Sequence, residues 1–134
     1  MGYCLNPSCY TRQNSAQARF CQACGAKLLL GDRYRAVRLI AQGGFGRTFL
    51  GIDQYKPSQP KCAIKQFAPQ GQGNLEKAAE LFKQEAMRLE ELGKHDRIPE
   101  LLAYCEQEGQ QYLMQEFIDG HDLGAEIAQQ GTFD

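Results

Sequence analysis

The sequence predicts an α+β chain of two modules: a small zinc ribbon over residues 1–30, then a five-stranded antiparallel sheet with one long helix over 31–134. Three observations lead there. Four of the six cysteines fall within the first 24 residues. Five short runs that read as strands follow, at 33–40, 47–53, 61–67, 101–106 and 111–117, separated by Gly- and Pro-bearing turns. Between the third and fourth, apolar residues recur at three and four positions over 75–92, the period of a half-buried helix.

Composition narrows the function classes. The 134 residues are 43% hydrophobic and 23% charged, the balance of a globular chain with room for one ordinary domain or a small and a medium one. A net charge of -1 gives no global pull toward nucleic acid or membrane. The first 31 residues hold Arg12, Arg19 and Lys27 and none of the 16 acids, an asymmetry that suits two modules. No apolar run approaches the about 20 residues that span a bilayer, and no signal-peptide core is present. Met1-Gly2 opens like a myristoylation signal, but Asn6 stands where Ser or Thr is needed. The expectation is a cytoplasmic protein.

The ribbon rests on Cys4-x4-Cys9 and Cys21-x2-Cys24. Two close pairs joined by a short connector can set four thiolates tetrahedrally around one zinc. Asn6-Pro7 and Ala23-Cys24-Gly25 supply tight turns from which such ligands project. A segment this short buries no core of its own, so metal binding, roughly 10–16 kcal/mol in small zinc peptides, would supply most of its folding energy. Two disulfides are the alternative. Zinc is favoured because no secretory signal is present and Cys62 and Cys105 lie singly in strands. Four thiolates leave no open position, so the site reads as structural, for docking or spacing. A zinc-dependent nucleic-acid binder is the weaker reading, since only Tyr3, Tyr10, Arg12, Arg19 and Phe20 could form a basic aromatic face. The leucines at 28–30 lead directly into the first strand, which suggests that the ribbon packs on its neighbour.

The second module is organised by Ala41-Gln42-Gly43-Gly44-Phe45-Gly46-Arg47-Thr48, with three glycines in four residues. A glycine turn between two strands brings backbone N–H groups close to a ligand with no Cβ in the way, a geometry suited to phosphates. In the third strand Ala63 and Lys65 share one face, while Cys62 and Ile64 share the other. Lys65 could then meet phosphates while Ala63 contacts a flat base. In the helix, Leu75, Ala78, Ala79, Phe82, Ala86 and Leu89 form the inward stripe, with Asn74 as N-cap and Gly93 as stop. Glu85 falls inside that stripe. An inward carboxylate is costly unless paired, and Lys65 is the partner expected from the neighbouring strand. Residues 107–110 read as a hairpin turn, and a short helix is expected over 123–130. His95 and His121 lie alone and read as ordinary surface residues.

Taken in order, these elements resemble the N-terminal lobe of a Hanks-type Ser/Thr protein kinase. With the leading four-cysteine ribbon, the arrangement is similar to kinases of the bacterial, cyanobacterial type. Gly43 and Gly46 match the second and third glycines of GxGxxGxV, while Ala41 replaces the first and Thr48 the valine. Cys62-Ala63-Ile64-Lys65 matches the VAIK element. The resemblance implies that Lys65 binds the α- and β-phosphates of ATP and pairs with Glu85. It also implies Gln115 as gatekeeper, the Glu116 carbonyl and Ile118 amide on the adenine edge, and Asp122 on the ribose. ATP with Mg²⁺ in the complete kinase and structural Zn²⁺ are the implied cofactors, and a protein hydroxyl is the implied acceptor. No HRD or DFG motif occurs in these residues; His95-Asp96-Arg97 has the wrong order and precedes the hinge strands. The expectation is therefore the ribbon and ATP-binding lobe of a longer kinase, inactive without its C-terminal lobe and prone to self-associate through the uncovered face. The alternative is a stand-alone interaction or regulatory protein with a vestigial nucleotide site.

Overall fold

The computed structural model describes residues 2–7, 9, 13–43, 46–67, 75–94 and 98–117. The strands are β1 (Leu29–Leu30), β2 (Tyr34–Gly43), β3 (Gly46–Asp53), β4 (Lys61–Phe67), β5 (Leu101–Gln107) and β6 (Gln110–Glu116), with helix α1 (Leu75–Leu92) between β4 and β5. They form one sheet in the order β1-β2-β3-β4-β6-β5, every neighbouring pair antiparallel. The five expected strands are all present. The sixth, β1, arises because Leu29 and Leu30 pair with Arg35 and Tyr34 at the sheet edge.

Local chemistry sets the connections. Glu108 and Gly109 both have positive φ, 51° and 79°, as a two-residue type I′ turn between β5 and β6 requires. Helix α1 stops at Gly93, whose φ of 65° only glycine adopts without strain and whose N–H closes the last turn on the Leu89 carbonyl at 3.1 Å. The expected N-cap Asn74, the turn residues Gly44 and Phe45, His95, and everything from Ile118 onward, including Asp122, His121 and the 123–130 helix, lie outside the described residues.

Each face of the sheet is covered by a different element. On one face Phe82, Ala86 and Leu89 of α1 are buried against Leu113 of β6, with Phe67, Ile98, Leu101 and Tyr104 around them. Phe82, Ala86 and Leu89 of the stripe read from the sequence are thus the packed ones, Ala78 and Ala79 being half-buried, and burying a side chain such as Phe82 or Leu89 is worth about 1.5–3 kcal/mol. On the other face Tyr3 and Leu5 join Leu30, Tyr34, Ala36, Phe49, Ile64, Tyr112 and Met114 in a second core. Tyr3 packs on Phe49 with ring centroids 5.1 Å apart, and its backbone N–H bonds the Ala36 carbonyl at 2.8 Å. Side chains also cross the junction: Glu108 accepts from the Lys27 N–H, Gln107 accepts from the Gly31 N–H, and the Gln107 amide donates to the Leu29 carbonyl. The cysteine segment therefore forms a third layer on the sheet.

Candidate functional site

The first candidate is the cysteine cluster. Two turns and two isolated bridges, Gly2 with Asn14 and Phe20 with Lys27, fold the segment back so that its two cysteine pairs face each other. The Sγ atoms of Cys4, Cys9, Cys21 and Cys24 all lie within 4.8 Å of one another. Cys4 and Cys24 are 3.6 Å apart and Cys9 and Cys21 are 3.8 Å apart, with all four unbridged. Four sulfurs at about 2.3 Å from a tetrahedral zinc would be separated by about 3.8 Å, so the spacing fits a metal. The electrostatics agree. Burial raises the Cys21 thiol, but the backbone N–H groups of Cys24 and Ala23 outweigh it, with help from Cys4 and Asn14, and bring it down to about 6. The Ala26 N–H, with Asn6, holds Cys24 below its usual value. Cys4 is pushed up, chiefly by burial, as expected for the last of a cluster of thiols to give up its proton.

The second candidate is the sheet face beneath the glycine hairpin. Gly43 pairs with Gly46, and Gln42 with Arg47, so the hairpin strands run to the tip. Cross-strand partners share a face, which places Ala41, Thr48, Lys65 and Leu113 in one row and Leu50, Ala63 and Gln115 in the next. Thr48, Ala63, Lys65 and Gln115 are all buried. The Thr48 hydroxyl is buried without a hydrogen-bond partner. Gln115 is anchored by donating to the Pro99 carbonyl at 3.0 Å. Glu116 is tied to Glu100 twice, by its backbone N–H to the Glu100 carbonyl and by its carboxylate to the Glu100 N–H. These residues offer what a nucleotide needs: a small residue and a methyl against a flat ring, a cation, and a glycine turn.

Around Glu85 the pair that forms among the described residues is not the expected one. Glu85 does not lie deep in the stripe; its side chain is 26% exposed, and both carboxylate oxygens are taken by Arg88, at 3.0 and 2.6 Å. The sequence pointed to Lys65 instead. The reason is local: Arg88 lies one turn on along the same face, and its planar fork matches a carboxylate with little loss of side-chain freedom.

Sequence reasoning missed a buried polar crossing next to Lys65. Gln66 is fully buried on the face opposite Lys65 and donates to the Leu5 carbonyl at 2.6 Å and to the Tyr112 hydroxyl at 3.1 Å. Its carbonyl accepts from Arg47 Nε at 2.9 Å, and Arg47 also donates to the Leu5 carbonyl at 2.9 Å. One backbone carbonyl next to Cys4 thus holds residues adjoining both Thr48 and Lys65. Strand alternation placed Gln66 away from Lys65, but no sequence signal marks a main-chain acceptor 61 positions away.

Comparison with known proteins bears on both candidates. The family model described as protein tyrosine and serine/threonine kinase matches residues 34–132. Serine/threonine-protein kinase B of Synechocystis sp. is 42% identical over 135 residues, covering 99% of this chain and 24% of that protein. Serine/threonine-protein kinase F of the same organism is 40% identical over 154 residues, covering 96% of this chain and 31% of that protein. Both alignments run through the cysteine segment. Serine/threonine-protein kinase PknA of Nostoc sp. is 40% identical over 107 residues, covering 78% of this chain and 19% of its own. The chain spans less than a third of the length of these relatives. No helix among the described residues is long and apolar enough to cross a membrane.

Proposed function

Because the chain belongs to the protein tyrosine and serine/threonine kinase family, we propose that it supplies the ATP-holding part of a Ser/Thr protein kinase that phosphorylates protein hydroxyls. The observation that carries the reading is the buried row of Thr48 and Lys65, with Ala63 and Gln115 beside it, beneath a glycine hairpin. In this reading the adenine ring lies against Ala63 and the Thr48 methyl. Gln115 is the gatekeeper, and the Glu116 carbonyl and Ile118 amide read the base edge. Lys65 orients the α- and β-phosphates, Ala41–Gly46 cover them with backbone N–H donors, and Asp122 meets the ribose. Glu85 leaves Arg88 to pair with Lys65 when nucleotide is held. ATP with Mg²⁺ supplies the phosphoryl group; these residues bind and orient it, and none of them serves as base or metal ligand. We further propose that Cys4, Cys9, Cys21 and Cys24 hold a structural zinc that fixes the outer layer over the sheet.

The experiment is an NMR titration of residues 1–134 with ATP. The amides of Thr48, Lys65 and Gln115 are expected to shift together and saturably, with weak affinity. Lys65→Met should weaken binding by about tenfold or more, the loss of one charge-assisted contact. Shifts confined to other residues, or an unchanged affinity in the variant, would defeat the reading.

A further inference from the structure

Next to the sheet edge opposite β5 lies a charge that none of the described residues balances. Arg35 of β2, whose Cα pairs with those of Leu29 and Ile52, is 2% exposed. Its Nε and NH1 are buried and donate to no acceptor. NH1 lies so close to the cysteine layer that a Cβ on Gly2 would come within 2.9 Å of it. Asp53 of β3 stands opposite Tyr34, on the other face of the sheet, and is committed there: it takes Arg33 through both oxygens, at 2.9 and 2.7 Å, and also accepts from the Tyr55 N–H. Among the described residues the two ion pairs are Arg33–Asp53 and Arg88–Glu85, and Arg35 belongs to neither. Burial, with the charge of Arg19 added, lowers the pKa of Arg35. Even so, a guanidinium does not shed its proton to escape burial as a lysine can. A buried cation of this kind calls for an anion that the described residues do not supply.

The place for it is present. Arg35 lines an open groove of about 750 Å³ between the cysteine layer and the β3–β4 loop. Arg19 lines the same groove, and Gln17, Gln54, Tyr55 and Gln59 border it with amide and hydroxyl donors. Among the described residues the one acid on its rim is Asp32, which is exposed and pairs with neither arginine. None of the residues of the nucleotide face lines this groove. Two guanidiniums ask for about two negative charges; a carboxylate brings one, whereas a phosphate monoester carries about 1.5 to 2 near neutral pH. The planar fork also matches phosphate oxygens two at a time. We propose that this groove binds the phosphate group of a phosphomonoester, with Arg35 as its buried anchor and Arg19 as its outer contact.

The test uses residues 1–134 with O-phosphoserine, inorganic phosphate or acetate at constant ionic strength, read by thermal unfolding and by the NMR signal of the Arg35 Nε–H. O-phosphoserine should raise Tm saturably and shift that signal, and acetate should do neither. If inorganic phosphate matches O-phosphoserine, the site takes the bare dianion; if O-phosphoserine binds more tightly, the ester side of the ligand is also read. Arg35→Met should lower the affinity by at least about tenfold, the worth of a charge-assisted contact. Without phosphate this variant should be no less stable than the parent, because it removes a cation with no internal partner. Arg19→Ala, at an exposed position, should fold normally and weaken binding by a smaller factor. The proposal is overturned if the parent shows no saturable response, if acetate acts as phosphate does, or if Arg35→Met keeps the response. It is equally overturned if Arg35→Met fails to fold or is destabilised in phosphate-free buffer, for Arg35 would then be serving the fold itself.

Discussion

Replacing Gln66 with leucine tests the polar crossing that joins the cysteine layer to the sheet. The substitution keeps the side chain's approximate volume and removes three hydrogen bonds, to the Leu5 carbonyl, the Tyr112 hydroxyl and Arg47. Leu5 keeps the Arg47 bond, so the main loss falls on Tyr112, itself buried, and on Arg47 Nε, whose acceptor disappears. A buried polar group stripped of its partner costs about 1–3 kcal/mol, and more when charged, while the added apolar surface of leucine returns about 1–2 kcal/mol. The net expectation is a destabilisation of roughly 2–4 kcal/mol. For a domain of this size that corresponds to a fall in Tm on the order of 10 °C. Urea unfolding measures it directly. A double-mutant cycle with Arg47→Met should return a coupling of about 1 kcal/mol or more, since the two side chains share an acceptor. A Gln66→Leu variant within about 0.5 kcal/mol of the parent, or strict additivity with Arg47→Met, would refute the claim that this crossing ties the layers together.

Three further outcomes follow from the same structure. Metal analysis should find one zinc per chain, and Cys4→Ser, at a buried member of the proposed ligand set, should lower zinc affinity by more than the roughly 10–100-fold typical of outer-shell changes; competition with a chromophoric chelator reads this, and an unaltered affinity would dismiss the four-thiolate site. Thiol labelling at pH 8 should modify Cys24, exposed and held below its usual value, first and leave Cys62, whose thiol burial pushes up to about 12, unlabelled in the folded chain; early labelling of Cys62, followed by mass spectrometry, would contradict its packing. Asp53 is held below its unfolded value of 3.8, chiefly by its bonds to Arg33. Its contribution is therefore full above that value and lost as pH falls through the lower folded one, so the Tm gap between parent and Asp53→Asn should be constant near neutrality and close in acid. A gap that persists at the acid end would mean that the asparagine loses something other than charge.

Much of the candidate site was legible because its signals are local. The glycine triplet, the alternation that sets Ala63 and Lys65 on one face, and the three-and-four repeat of Phe82, Ala86 and Leu89 each depend on neighbours within a few positions. So does the hairpin at Glu108-Gly109. Glu85 shows where such reasoning stops. Its place on the helix was readable, but the choice between Arg88 and Lys65 depends on distances that only the packed chain sets. Arg88 is three residues along the same face and Lys65 is on another element, so the nearer fork takes the carboxylate.

Chain order and side-chain chemistry alone determined the strand succession, the packed face of α1 and the grouping of four cysteines. All follow from period, turn residues and ligand spacing, which are properties of short stretches. Tertiary structure decided that the cysteine segment lies across the sheet as a layer, that the Leu5 carbonyl reaches Gln66 and Arg47, and that Arg35 is buried with no anion beside it among the described residues. These are meetings of residues far apart in the chain. They depend on which surfaces come together when apolar area is buried, and a main-chain carbonyl or a stranded charge leaves no mark in the order of the amino acids.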